Sequence, residues 1–496
     1  MKNLHNRRQY IISDSTFETL PGWQNFNVAE RFFISHHPDL GFCQVYGAHG
    51  GGLAILGYIV DPYHPELDSS DITSKLVNSC STFDALLRSV YEFSGRYAML
   101  FWNESEVKVI HDPFASRKLF YWLDRNKFLC ASDPSLISKY VMLNENKKFG
   151  QKEFLESKEF FEKESMWVGD ETGYEGVKQL MPNFYLNLVD KSVERYWVEE
   201  VQDYSLDEAV KEISEILKGS IEAIVRRGKI MQSVTAGWDS RVLLAASRTV
   251  SDRIYYFVNS MNVYRDDHMD IAIPSKMLDD VGVRFNVHRD MPSLREGFFK
   301  ILNSNVEGAR NLPKTLAIQY YYDFHQEKIN LNGNGSEVTR CYYGITHLES
   351  SRVTSEHIIQ SIGFKKAYPY LKREIEDWLI TARDVAKEQN ISIMDLFYWE
   401  QRMGNWGGMF LAEQDIAVEG FMPFNNRKLI LIALGVEEKY RCGPNHVLHK
   451  KLIENMWREL LRYRINPESL REKARKHVIK VLPVNAKVLI KRLINR

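Results

Sequence analysis

Lys229-Ile-Met-Gln-Ser-Val-Thr-Ala-Gly-Trp-Asp-Ser-Arg-Val-Leu-Leu-Ala-Ala-Ser-Arg248 reads as a buried strand, a turn of small residues and the start of a helix. The turn, Thr235 to Ser240, offers backbone N–H groups, two hydroxyls and a carboxylate just where a helix from about Arg241 presents its positive end. An anion is stabilised at such a place, and Asp239 is suited to hold an accompanying Mg2+. Ordinary capping accounts for the same residues, because Ser and Asp are favoured N-caps and Ala-Gly is a common turn. The turn alone leaves both readings open.

Working outward, an amphipathic helix over 207–226 precedes this stretch, and strand 254–258, helix 270–278 and strand 283–288 follow it. Strand, helix and strand at this spacing predict a parallel α/β sheet. Such sheets bind ligands beyond the carboxyl ends of their strands, which is where the turn would lie. The earlier part of the chain, from about residue 32 to 197, has another rhythm. Short apolar runs at 41–46, 53–60, 97–102, 107–110 and 119–122 predict antiparallel strands, and helical spacing over 81–92 predicts a helix packed on a sheet. The polar stretch 198–207 reads as the junction between the two parts.

At 496 residues the chain is long for one domain. Its 65 Lys and Arg balance 65 Asp and Glu, which argues against a generally basic nucleic-acid binder. Residues 1–10 lack the apolar core of a secretory signal, and the longest aliphatic run, 429–434, is too short to cross a bilayer. Cys43, Cys80, Cys130, Cys341 and Cys442 form no Cys-x-x-Cys pair and no zinc spacing, so a reduced, cytoplasmic setting is the default expectation. The basic tail, with Arg471, Lys473, Arg475, Lys476, Lys480, Lys487, Lys491, Arg492 and Arg496 among apolar residues, is either a solvated terminal helix or a contact for an anionic membrane surface or a protein.

The turn is similar to the Ser-Gly-Gly-x-Asp-Ser pyrophosphate loop of the asparagine synthetase family, with Thr235 for the Ser and Ala236 for the first Gly. About one hundred residues on, Leu331-Asn-Gly-Asn-Gly-Ser-Glu337 resembles that family's Gly-x-Gly-Ser-Asp-Glu loop, although a plain Asn-Gly turn accounts for this piece by itself. Residues 420–430 resemble its Glu-x-Arg-x-Pro-Phe-Leu-Asp segment with Asn426 for the Asp, and 443–452 sits where the family has a catalytic lysine opening a helix. In the first half, 93–102, 111–121 and 131–133 look like the Gly-x-Phe-Ala, Arg-Asp-Pro-x-Gly and Ala-Ser-Glu landmarks of its glutaminase domain. The resemblance implies an α+β, Ntn-hydrolase-like αββα sandwich over 1–200, a degenerate glutamine amidotransferase-like unit. An α/β pyrophosphate-loop domain, adenine nucleotide alpha hydrolase-like, would follow over 205–465 with a parallel sheet and C-terminal helices, and a basic helical tail over 466–496.

The same resemblance implies that ATP is held by Ser233, Thr235, Ala236, Gly237, Asp239, Ser240, Gly333, Gly335 and Ser336, with adenine near Phe257 to Asn259, and that Asp239 and Glu337 hold Mg2+. Lys450 is placed to stabilise pyrophosphate or a developing oxyanion, and Arg241 to orient a phosphate or a carboxylate; a solvated lysine and a solvent-facing helix arginine are the alternatives. Three departures matter. Lys2 stands where class II amidotransferases have their nucleophilic cysteine, so glutaminase activity is not expected. Asn334 replaces a Glu or Tyr and cannot act as acid or base near neutral pH, and Asn445 falls in the closest register to the lysine.

No Walker A sequence occurs, which disfavours γ-phosphoryl transfer in the P-loop manner. A grip on the β- and γ-phosphates suits pyrophosphate as the leaving group. The expectation is therefore an AMP-forming carbon–nitrogen ligase using ATP and Mg2+, which adenylates a small-molecule or peptide carboxylate and passes the acyl group to an amine or ammonia. No nucleic acid is expected as a partner, and a homo-oligomer is compatible with this reading. A non-catalytic nucleotide-binding or assembly protein of the same fold is the alternative. Trp167, Trp399 and Trp406 are either core or the lining of a substrate pocket.

Overall fold

The computed structural model describes residues 4–47, 50–125, 127–309, 314–344 and 349–467; Lys2 and the basic positions from Arg471 onward lie outside the described residues. The first part of the chain contributes β1 (Tyr10–Ser13), β2 (Gln24–Val28), β3 (Phe32–His36), β4 (Phe42–Tyr46), β5 (Gly52–Val60), β6 (Ser94–Trp102), β7 (Val107–His111), β8 (Phe120–Leu123), β9 (Phe128–Ala131), β10 (Val177–Gln179), β11 (Phe184–Asn187) and β12 (Ser192–Arg195). They form two antiparallel sheets, in the orders β10-β8-β9-β1-β3-β2 and β12-β11-β7-β6-β5-β4.

Strand β6 shows why the sheets stack. Its Ala98, Leu100 and Trp102 meet Ile12, Ile34, Tyr121 and Cys130 of the other sheet, while Tyr97, Met99 and Phe101 on the opposite face pack against the helices Ser69–Ser79 and Phe83–Val90. Burial on both faces makes the strand apolar from Tyr97 to Trp102 rather than alternating with polar residues. The outer face of the first sheet is covered by Trp23 and the short helix Pro134–Ile137. The layers are thus helix, sheet, sheet and short helix. The strands β1 and β2 begin well before residue 32, where the sequence reading started; Gln24-Asn-Phe-Asn-Val28 carries too little apolar alternation to be read as a strand.

The second part forms one parallel sheet from β13 (Lys229–Ser233), β14 (Ile254–Asn259), β15 (Phe285–His288), β16 (Lys328–Leu331) and β17 (Glu419–Phe421), in the order β15-β14-β13-β16-β17. The helix Leu206–Arg227 leads into it, started by a capping box between Ser205 and Glu208. The chain steps outward from β13 to β15 and then returns to the other side of β13 for β16. Such a reversal is where open α/β sheets place their ligand sites, beyond the carboxyl ends of the strands, here those of β13 and β16.

The two parts are joined by buried polar groups. Arg96 forks onto Asp415 (2.6 and 2.8 Å) and reaches Glu419 (2.7 Å); Arg117 also binds Glu419 (2.9 Å), and Arg8 lies 3.6 Å from it. Burial raises the Glu419 carboxyl, but Arg117 and Arg96 outweigh it and hold it at about 2. Asn426 caps the helix Arg427–Leu434 by accepting from Leu429 N, and donates to Glu92 O (2.7 Å) and Ser94 Oγ (3.1 Å) across the junction. The 198–205 stretch is coil, tied down where Tyr204 N donates to Gly435 O.

Cys341 and Cys442 are disulfide-bonded, with Cα atoms 5.2 Å apart. They are 101 residues apart in the chain, so no short spacing could reveal the pair, and the cytoplasmic expectation no longer follows from the cysteines. Trp399 belongs to the core, fully buried with Nε1 donating to Pro113 O. Among the described residues no helix is long and apolar enough to cross a membrane.

Candidate functional site

The turn after β13 is short because the helix Trp238–Ala246 starts at once, with Gly237 as its N-cap. The start lies three residues before the one read from the sequence: a glycine cap has no side-chain signal, and Trp238 at the first position gives none either. Asp239 and Ser240 therefore sit in the first helical turn, where a carboxylate is favoured by the helix dipole. The loop is pinned by its own side chains. Thr235 N donates to Ser240 Oγ (3.1 Å), Gly237 N donates to Thr235 Oγ1 (3.2 Å), and Ala236 N donates to Asp270 Oδ1 (3.0 Å). Asp270, which the sequence reading passed over, thus puts a carboxylate oxygen on a loop N–H, the kind of partner a phosphate would be. Ser233 is the half-buried last residue of β13.

The loop after β16 comes to the same place. Gly333 packs against Asp239 so closely that a Cβ there would lie 3.1 Å from the Asp239 Cβ. Gly335 has φ +92°, in the left-handed region, and a Cβ on it would collide with the Phe114 ring. With both glycines in place, Ser336 Oγ donates to Asp239 Oδ1. Glu337 lies beside this pair, its Oε2 accepting from Gly335 N (3.0 Å) and from Tyr398 OH (2.8 Å). Arg340 completes the cluster: Nε and Nη2 fork onto the two Asp239 oxygens, each at 3.2 Å, and Nη2 lies 3.7 Å from Glu337 Oε1. Burial and then the Asp239 charge push the Glu337 carboxyl up, and Arg340 opposes them.

The helix Val447–Trp457 turns a different residue toward this cluster than the one expected. Lys450 is exposed, whereas His449 is fully buried, 6.3 Å from the Trp238 ring and within the fields of Asp239 and Arg340. Burial holds His449 neutral, at about 3, and also lowers His446, whose ring is 5.6 Å from Trp238. Both ring nitrogens of His449, and Asn334 Nδ2, are buried without a hydrogen-bond partner among the described residues. Native interiors rarely leave such atoms unpaired, so a polar ligand at this place would satisfy them. One helical position separates lysine from histidine, and no pattern within the segment 443–452 tells which one faces inward.

Arg241 does not meet the loop. It is buried, and its terminal nitrogens donate to the carbonyls of Leu460 (3.3 Å), Tyr463 (2.7 Å) and Arg464 (3.0 Å), fastening the C-terminal segment; the expected contact with phosphate or carboxylate is corrected accordingly. Phe257, near the end of β14, turns its ring into the core. Its ring is fully buried, stacked on His288 at 4.6 Å and edge-on to Tyr321 at 5.7 Å. A cavity of about 790 Å3 lined by Val201, Gln389, Glu437 and Arg441 contains no residue of either loop, so chemistry rather than volume identifies the site. Trp167 and Trp406 line a separate cavity of about 290 Å3 with Glu307 and Lys118.

No protein-family model matches this chain, and no curated protein does. Among solved structures it is similar to glutamine phosphoribosylpyrophosphate amidotransferase from B. subtilis complexed with ADP and GMP, at 13% identity over 73% of this chain and 84% of that one, with a TM-score of 0.24. A structure described as the allosteric regulatory enzyme of purine biosynthesis gives 15% identity over the same shares and a TM-score of 0.26. Glutamine-dependent NAD+ synthetase from Acinetobacter baumannii in complex with ADP gives 10% identity over 60% and 69%, with a TM-score of 0.21. Likenesses this weak establish neither fold family nor activity.

Proposed function

We propose that the chain is an asparagine synthetase-like, ATP-dependent ligase that adenylates a carboxylate and transfers the acyl group to an amine. The observation that carries this reading is the meeting of two loops at the reversal of the parallel sheet, where Ser336 hydrogen-bonds Asp239. Thr235, Ala236, Gly237 and Ser240, with Gly333, Gly335 and Ser336 opposite, would cradle the β- and γ-phosphates. A carboxylate oxygen then attacks the α-phosphorus, the bond to the β-phosphate oxygen breaks, and pyrophosphate leaves. An amine next attacks the acyl carbon and AMP departs. The neutral His449 imidazole, with one donor and one acceptor nitrogen, is the group the helix Val447–Trp457 offers beside these atoms in place of Lys450.

The residues present fit a magnesium ion. Asp239 and Glu337 supply hard carboxylate oxygens beside the phosphate loop, and a guanidinium already neutralises them there. Bound Mg2+ would offset charge on the phosphates as pyrophosphate leaves. In this reading residues 1–200 are a degenerate, Ntn-hydrolase-like unit and 205–465 the pyrophosphate-loop unit; the two stacked antiparallel sheets and the five-stranded parallel sheet support that division.

The test is exchange of labelled pyrophosphate into ATP with Mg2+ and a panel of carboxylic acids. Acid-dependent exchange that Asp239→Asn abolishes is the expected result. No measurable affinity for ATP in the presence of Mg2+ would refute the reading. Asn334, which lacks acid–base capacity, favours the second reading, a nucleotide-binding protein without turnover. ATP binding without exchange for any acid would select it.

A further inference from the structure

We infer that Arg340 is the resident cation of the nucleotide-free site, holding the place of the divalent metal until a polyphosphate arrives. This rests on the ligase reading of the two loops. Arg340 satisfies both oxygens of Asp239 with one planar fork and approaches Glu337 with the same nitrogen, so the two carboxylates that would coordinate the metal share a single guanidinium. A fork of this kind is directional as well as charged, and a lysine cannot reproduce it. The counter-charge is local. His446 and His449 are both held toward the neutral form, so neither supplies the positive charge in place of Arg340.

The Arg340 side chain keeps 18% of its surface exposed, and its backbone is fixed by the neighbouring Cys341–Cys442 bond. Exchange of partners is therefore a side-chain movement. When the β- and γ-phosphates enter, the guanidinium moves from Asp239 to phosphate oxygens, and both carboxylates become free for the metal. Metal and nucleotide then promote each other's binding, and the metal alone binds weakly.

Mn2+ is the probe, followed by electron paramagnetic resonance on the full chain with and without α,β-methylene-ATP. Arg340→Met is expected to bind Mn2+ without nucleotide roughly tenfold or more tightly than the unmodified chain, because a competing charge has been removed, while its affinity for the analogue falls. Arg340→Lys keeps the charge without the fork and is expected to lie between them. It serves as the measured variant if Arg340→Met does not fold. Equal Mn2+ affinity in the unmodified chain and the measured variant, with the analogue still binding, overturns the role of Arg340 and leaves the ligase reading standing. Failure of every chain to bind the analogue overturns both.

Discussion

Replacing Arg96 with methionine removes the centre of the buried network between the two parts of the chain while keeping much of the side-chain volume. Three short contacts are lost, at 2.6 and 2.8 Å to Asp415 and 2.7 Å to Glu419, leaving Arg117 and Arg8 to serve both carboxylates. Removing one partner of a buried ionic cluster costs about 3–5 kcal/mol, because the other partner stays desolvated. With an unfolding entropy of about 2.1 cal/mol/K per residue, a chain of 496 residues that melts as one unit would lose about 3–5 °C. If the parts melt separately, a unit of half that size would lose about 6–10 °C. Scanning calorimetry of Arg96→Met, Asp415→Leu and the double variant distinguishes these cases. The double variant is expected to lose less than the two single losses added together, by about 0.5–3 kcal/mol. A cost below about 1 kcal/mol for Arg96→Met would refute the view that these charges hold the parts together.

Gly335→Ala places a Cβ in the Phe114 ring at φ +92° and is expected to cost about 2–4 kcal/mol and to weaken ATP binding. Unchanged melting and affinity would contradict the close approach. Glu419, held at about 2 against an ordinary 4.5, contributes stability that is present above pH 4.5 and lost as the pH falls toward 2. Glu419→Gln is therefore expected to melt lower at pH 7 but with a shallower acid slope, and parallel slopes would count against the shift. Reduction of the Cys341–Cys442 bond, which spans 101 residues, is expected to remove up to about 4–5 kcal/mol on the chain-entropy account. Dithiothreitol should lower the melting temperature of the unmodified chain and leave Cys341→Ser unaffected; no effect on the former would refute it.

What was legible in the sequence was what local chemistry specifies. The strand and glycine-bearing turn around Thr235 to Ser240 could be read because a buried strand, small residues and a helix start are adjacent in the chain, and Gly333 and Gly335 because only glycine suits a close approach. The antiparallel strands β5, β6 and β7 were visible through their apolar runs. What escaped was whatever needs a partner far away. Asp270 became a loop ligand, Arg340 a counter-ion and His449 an inward-facing residue only through contacts 34 to 210 positions distant. Arg241 was misread for the same reason, since the carbonyls it binds, from Leu460 to Arg464, lie in a segment with no pairing signal of its own.

Asn466 N donates to Ala236 O at 2.9 Å, so the stretch after the last helix reaches back to the rim of the loop that follows β13. A side chain changed at Asn466 is therefore a neighbour of the proposed nucleotide site. A fluorophore coupled to a cysteine introduced at the exposed position 466 would sense occupancy directly, and a bulky label there would compete with the ligand it is meant to report.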